Sequence, residues 1–89
     1  MVHHDAVQSY AGTLAELAAD VGNLRYDALA EFLRLLAAKI TEDGQKDADR
    51  GRVQLAAALQ NSAVELAASA KRIEKAWQVA KPFMLAQGE

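Results

Sequence analysis

The sequence predicts a small all-α protein with three helices, the third of them long. Apolar residues recur at alternating steps of three and four, which is the spacing of one face of a helix. Alanine, which favours helix, accounts for 20 of the 89 residues, whereas a single proline and few β-branched residues disfavour strands. A chain of this length forms one domain, so residues 1–89 are predicted to be a single helical unit.

The first predicted helix spans residues 5–21. Its apolar residues follow the three-and-four spacing, which places them on one side of the helix: Val7, Tyr10, Leu14, Leu17 and Val21. Gly22 comes next, and a glycine just after a helix commonly adopts the left-handed conformation that ends it. We therefore expect the first helix to end at Gly22 in a left-handed conformation.

The second predicted helix spans residues 23–43, with Asn23 as its N-terminal cap. Its main apolar stripe has the same spacing: Tyr26, Leu29, Leu33, Leu36 and Ile40. Leu24 and Leu35 lie about 100–160° around the helix from that stripe, so this helix is apolar on two sides. The polar run at residues 42–47, which contains Gly44, predicts a turn.

The third predicted helix spans residues 47–81 and ends before Pro82, because proline is unfavourable inside a helix. Its predicted contact seam contains leucines, serines and an aromatic residue: Leu55, Leu59, Ser62, Leu66, Ser69, Ile73 and Trp77. Val53 and Val64 lie nearly opposite that seam. Residues 82–86 form an apolar tail, which is expected either to cover the end of the bundle or to dock into another protein.

The unequal lengths of the predicted helices limit how they can pack. A helix of about 35 residues spans roughly 52 Å, about as long as the first two helices laid end to end. In one arrangement, the first two helices form an arm that is broken at Gly22 and packs along the third in an antiparallel hairpin. In the other, the first helix folds back to make a compact three-helix bundle, and the third helix protrudes into a partner chain. Neither hides both apolar sides of the second helix, so we expect dimerisation to complete the fold.

The composition disfavours most catalytic chemistry. There is no cysteine, and the only histidines, His3 and His4, are adjacent near the N-terminus, so no pair of nucleophile and base is expected. A terminal histidine can bind Cu²⁺ or Ni²⁺, but we interpret this segment as a helix cap or an irregular terminus. The glycines form no phosphate-binding loop. We therefore expect no enzymatic activity, no cofactor and no metal.

The charges disfavour nucleic-acid binding, because the formal net charge is −2 and the signs are mixed along the chain. Basic residues nevertheless cluster near the end of the third predicted helix: Lys71, Arg72, Lys75 and Lys81. This basic cluster either complements the C-terminus of the helix or forms a patch for an anionic partner. No apolar run approaches a membrane span and no secretory signal is apparent, so we expect a soluble, cytoplasmic protein without a membrane partner.

These observations predict a non-enzymatic helical module for protein–protein interaction, which binds a second copy of itself or another protein. The alternative is a small regulatory nucleic-acid-binding protein that uses the basic cluster. The predicted interaction residues lie off the main stripes, at the uncovered end of the third helix or in the tail: Leu24, Leu35, Val53, Val64, Ile73, Trp77, Phe83, Met84 and Leu85.

Overall fold

The computed structural model describes the backbone of residues 3–86 and the side chains of residues 3–83. It contains three helices: α1 (Leu14–Gly22), α2 (Tyr26–Asp49) and α3 (Val53–Ala86). The described backbone contains no strand. The prediction of an all-α chain whose third helix is long is therefore confirmed.

α1 begins later than the sequence predicted, because Thr13 caps it. Glu16 N donates a hydrogen bond to Thr13 Oγ1 at 3.1 Å, and Thr13 N donates one to Glu16 Oε1 at 2.9 Å. This reciprocal capping box satisfies two amides at the start of the helix. The predicted helix over residues 5–21 is therefore wrong in its first half, and Val7 and Tyr10 lie in an irregular segment before α1.

The joint between α1 and α2 also differs from the prediction. Gly22 is the last residue of α1 and does not have a positive φ, so the predicted left-handed conformation is wrong. Asn23 is not the cap of the second helix, because its amide donates to Ala19 O at 3.0 Å and so completes α1. α2 begins at Tyr26, directly after Arg25.

The predicted turn at residues 42–47 is helical instead and lies inside α2. Lys39 Nζ lies 2.6 Å from Asp43 Oδ1, and Lys46 Nζ lies 3.1 Å from Glu42 Oε1. Residues four apart are neighbours on a helix surface, so these opposite charges stabilise the helix. A polar composition that predicts a turn therefore serves here as an exposed, ion-paired helix face.

The chain reverses direction at residues 50–52, where Gly51 has a φ of +78°. This left-handed conformation has little steric cost only for glycine. The turn also satisfies carbonyls at the end of α2: Gly51 N donates to Ala48 O at 3.0 Å, and Arg52 N donates to Asp47 O at 2.9 Å. α2 and α3 consequently run antiparallel and pack against each other, and we call this pair the α2–α3 hairpin.

Small residues form the core of the hairpin and recur at every seventh position. On α2 the buried residues are Ala30, Ala37 and Gly44. On α3 they are Ala56, Ala63, Ala70 and Trp77. A seven-residue repeat keeps one line of a helix against its partner, and side chains no larger than a methyl group let the two backbones approach closely. We call this line the small-residue seam.

The seam of α3 is shifted by one residue from the predicted one. Ala63 and Ala70 are buried, whereas Ser62 and Ser69, which were predicted to lie on the seam, are exposed. Larger residues that were also predicted there are half-buried beside the alanines: Leu59, Leu66 and Ile73. The reason is steric, because two closely packed helices leave room for little more than a Cβ at the centre, and leucines must flank it.

Trp77 closes the seam at the far end of the hairpin. It is only 7% exposed, and the Arg25 guanidinium carbon lies 5.2 Å from the centroid of its ring, in a cation–π contact. The sequence indicated that this end of the third helix would be left uncovered, and the contact shows that the residue directly before α2 reaches Trp77. Because Arg25 directly precedes α2, the residues after Trp77 extend beyond the start of that helix.

α3 continues through Pro82 to Ala86, so the prediction that residues 82–86 lie outside the helix is wrong. Proline has no amide hydrogen, so Pro82 cannot donate a hydrogen bond to the carbonyl of Gln78, one turn back. Gln78 is exposed, so water can solvate that carbonyl. We call residues 78–86, the part of α3 beyond Trp77, the α3 overhang.

α1 lies beside the first turns of α2, while the extensive packing is between α2 and α3. The described Cα atoms extend over 52 × 29 × 14 Å, the dimensions of a thin layer of helices. Neither predicted arrangement is formed in full: α1 is not an arm packed along α3, and it contributes no buried residue to a three-helix core.

Candidate interaction surfaces

An apolar groove of about 410 Å³ separates α1 from α2. The side of α1 that lines it has the spacing of a single helix face: Leu14, Leu17, Ala18 and Val21. Leu29 and Phe32 of α2 form the opposite wall. No residue of α1 is buried, and Leu14 remains 58% exposed. We call this feature the α1–α2 groove.

Local interactions, more than packing, hold α1 in place. The helix has nine residues, fewer than the ~12–15 that an isolated helix needs even for marginal stability in water. The capping box satisfies its first amides, and Tyr10 Oη donates a hydrogen bond to the carboxylate of Asp20. That hydrogen bond raises the pKa of Tyr10, because it stabilises the neutral phenol. α1 is thus ordered by exposed polar contacts around an open apolar face.

Carboxylates near the groove are held in the charged form. The pKa of Glu16 is lowered chiefly by the hydrogen bond from the Thr13 backbone. The pKa of Asp27 is lowered chiefly by its hydrogen bond from Arg25, whose Nε lies 2.7 Å from Asp27 Oδ1. Residues 5–24 contain three carboxylates and no lysine or arginine. The α1 side of the groove is therefore acidic at neutral pH.

Several predicted interaction residues are exposed in the structure. The most accessible of them are 62–71% exposed: Leu35, Val53, Val64 and Phe83. Leu24 is also exposed, although less so. Ile73 and Trp77 belong to the α2–α3 hairpin itself, so they are not free surface. The side chains of Met84 and Leu85 lie outside the described residues.

Six large apolar residues that are exposed within the described part of the chain were not among the predicted interaction residues: Val7, Leu14, Tyr26, Phe32, Leu55 and Val79. Leu14 was assigned to the apolar stripe of the first helix, and Tyr26 to that of the second. Val79, 67% exposed on the α3 overhang, was not singled out at all. The four-residue spacing of Val79 and Phe83 was the available signal, because it places both on one side of a helix.

A second cavity, of about 490 Å³, lies at the hairpin turn beside His3. Charged groups line it, and several of them form ion pairs: Arg52 Nη1 lies 3.3 Å from Asp47 Oδ1, and Asp43 pairs with Lys39 outside the cavity. Among the described residues, no group of three or more histidine, aspartate or glutamate side chains is placed to hold a metal ion.

The basic cluster lies on the exposed surface of the second half of α3. Lys71, Arg72, Lys75 and Lys81 are all exposed, and none forms an ion pair with another side chain in the part of the chain that the structure describes. Glu74 lies among them and keeps one carboxylate oxygen buried. Residues 71–83 contain four basic residues and one acidic residue, a formal charge of +3.

None of the helices within residues 3–86 combines the length and the hydropathy needed to cross a membrane. The surfaces that the structure offers are the α1–α2 groove, the exposed apolar residues of α2 and α3, and the basic cluster. No protein-family model, no curated protein and no solved structure matches this chain.

Proposed function

We propose that this chain is a non-enzymatic module for protein–protein interaction whose first partner is a second copy of itself. The observation that carries the proposal is the open face of α1. A nine-residue helix with apolar residues on one side is ordered next to Leu29 and Phe32. Leu17 and Val21 of that helix are nevertheless only half-buried, and Leu14 is exposed. An apolar helix face that its own chain does not fully cover is a common site of association with another helix.

The energetics favour a weak to moderate complex. Burying one large apolar side chain contributes about 1.5–3 kcal/mol. Association costs about 4–15 kcal/mol, so several such side chains must be buried together before a complex forms. Exposed leucine, valine and phenylalanine side chains are present on all three helices. We therefore expect dissociation constants in the micromolar range, about −8 kcal/mol.

The amino-acid composition is the reason that we propose no catalytic activity. Both histidines lie within the first four residues, and the chain has no cysteine. General acid–base chemistry at neutral pH would have to use carboxylates or lysines, and the described carboxylates with a shifted pKa, Glu16, Asp27 and Asp43, all have lowered pKa values. Such groups suit capping and ion pairing better than proton transfer.

The basic cluster supports a second candidate, binding of an anionic polymer such as nucleic acid. Its four cations lie on one helix and could contact successive phosphates. No aromatic residue is interleaved with them to stack on bases, and the formal net charge of the whole chain is −2. We therefore rank this candidate below self-association.

Sedimentation equilibrium over the micromolar range tests the proposal. We expect a mass that rises with concentration toward twice the 9.6 kDa of one chain. A constant monomer mass over that range would contradict self-association. Retention on heparin that falls steeply with salt would instead favour the second candidate, because phosphate-like contacts release counterions.

A further inference from the structure

The α3 overhang presents an apolar pair that its own chain does not cover. α3 has 34 residues and α2 has 24, a difference of about 15 Å in length. Because Trp77 meets Arg25 at the start of α2, most of this difference projects beyond the hairpin. Val79 and Phe83 lie four residues apart on one side of this projection and are 67% and 68% exposed.

The α1–α2 groove opens at the same end of the hairpin as the overhang. Its α2 wall begins at Leu29, one turn after the start of α2. α3 continues as one helix through the overhang, which leads away from the start of α2, so the overhang does not fold back into the groove of its own chain. The overhang of a second copy has no such restriction.

The charges of the two surfaces are complementary. The overhang itself has one charged side chain, Lys81, and Arg72 and Lys75 lie on the same side of α3 as Val79, two turns and one turn before it. α1, which forms one wall of the groove, has two carboxylates, Glu16 and Asp20, and no basic side chain. Two copies that met groove to groove would bring like charges together, whereas contact between overhang and groove pairs opposite charges.

We infer that the α3 overhang of one copy docks, through Val79 and Phe83, into the α1–α2 groove of a second copy, and that the second copy does the same in return. Because groove and overhang lie at one end of the molecule, a single two-fold axis near that end generates both contacts and closes the dimer. The inference rests on the proposed self-association and specifies the surface that it uses.

A matched pair of substitutions on α3 tests the role of Phe83. Phe83 and Val64 are both 68% exposed on the same helix, but only Phe83 lies on the overhang. Phe83→Asp should weaken the dimer at least tenfold in sedimentation equilibrium, whereas Val64→Asp should leave it unchanged. If Val64→Asp or Leu35→Lys dissociates the dimer and Phe83→Asp does not, another face is used and the inference is overturned.

Cross-linking locates the contact directly, because the chain contains no cysteine of its own. We would mix Ala18→Cys chains with Val79→Cys chains of different mass and oxidise them gently with glutathione. A disulfide between the two variants is the expected result. A control variant, Ala38→Cys, places the thiol on the side of α2 near Leu35 and should not cross-link to itself. Self-linkage of Ala38→Cys without linkage between residues 18 and 79 overturns the docking while self-association stands. A wild-type chain that stays monomeric overturns both.

Discussion

Gly44 sets the distance between the two long helices. A Cβ at this position would lie 3.1 Å from Gln60 Cγ and 3.5 Å from both Ala56 O and Leu59 Cβ. The contacts at 3.5 Å are ordinary, and the closest one involves a flexible, half-exposed side chain that can move by a few tenths of an ångström. One methyl group therefore fits at position 44, and a larger side chain does not.

This geometry predicts opposite effects for two substitutions at position 44. Gly44→Ala should raise the free energy of unfolding by about 0.5–1 kcal/mol, because alanine loses less backbone entropy in a helix. Gly44→Leu should lower it by about 1–3 kcal/mol, because overpacking forces the helices apart. Urea unfolding followed by circular dichroism measures both. A large loss for Gly44→Ala would mean that Gln60 cannot move aside.

Gly51 is the residue at which backbone conformation matters most. Its φ of +78° lies in the left-handed region, which costs a residue with a Cβ about 1–2 kcal/mol. Gly51→Ala should lower the free energy of unfolding by about that amount. Gly22→Ala is the matched control, since its Cβ would meet no atom within 4 Å and its φ is not positive. Equal losses for the two variants would contradict this view of the turn.

At the scale of the secondary-structure element, α1 depends on a carboxylate that must stay ionised. The folded state lowers the pKa of Glu16, so the capping interaction contributes its full stability above the ordinary glutamate range. That contribution is lost as the pH falls below about 4 and through the lowered value. α1 should therefore fray in acid before the α2–α3 hairpin does.

Amide chemical shifts recorded against pH test this dependence. The signals of Leu14 to Leu17 should move toward unfolded positions in acid. Glu16→Gln keeps the capping geometry without a titrating group at the cap, so the signals of Leu14 to Leu17 should change much less with pH in this variant. A wild-type α1 whose signals do not change between neutral pH and the acid range would show that Glu16 does not hold the cap.

The α2–α3 hairpin depends on the small-residue seam. Ala63 is buried there, whereas Ala68 is exposed on the same helix. Ala63→Leu should lower the free energy of unfolding by about 1–3 kcal/mol by separating the helices, and Ala68→Leu should change it by less than about 0.5 kcal/mol. Thermal unfolding of the two variants measures the difference. Similar midpoints would contradict an alanine-centred interface.

The three helices could be predicted from the sequence, but the centre of their contact could not. Leucines at three-and-four spacing identify a helix side within about one residue. Ser62 was chosen over Ala63 because periodicity alone does not tell which neighbour is central. The repeat of Ala56, Ala63 and Ala70 at every seventh position was the better signal.

One helix boundary could be predicted from the sequence, whereas the exposure of residues at the candidate site could not. The capping box of Thr13 and Glu16 is a recognisable sequence pattern. It would have placed the start of the predicted first helix directly after Thr13. The exposure of Leu14 and Val79 could not be predicted, since it depends on where α1 lies and on how far α3 projects beyond α2. Tertiary arrangement, and not local pattern, decides which apolar residues remain open.

At the scale of the whole molecule, the α2–α3 hairpin is the stable part, and α1 is the part whose order we expect to depend on a partner. The α2–α3 hairpin has a buried seam of its own, whereas α1 is a nine-residue helix without a buried residue. A local element with few buried contacts opens far more readily than the core, and a partner that covers it lowers the population of the opened state by mass action. The order of α1 should therefore depend on the concentration of the chain.

Hydrogen exchange of the α1 amides as a function of protein concentration tests this central claim most directly. We expect the amides of Leu17 to Val21 to exchange more slowly as the concentration rises through the micromolar range. In Phe83→Asp the same amides should exchange fast at every concentration. Exchange of wild-type α1 at a rate independent of concentration would contradict the claim that a second copy completes this helix.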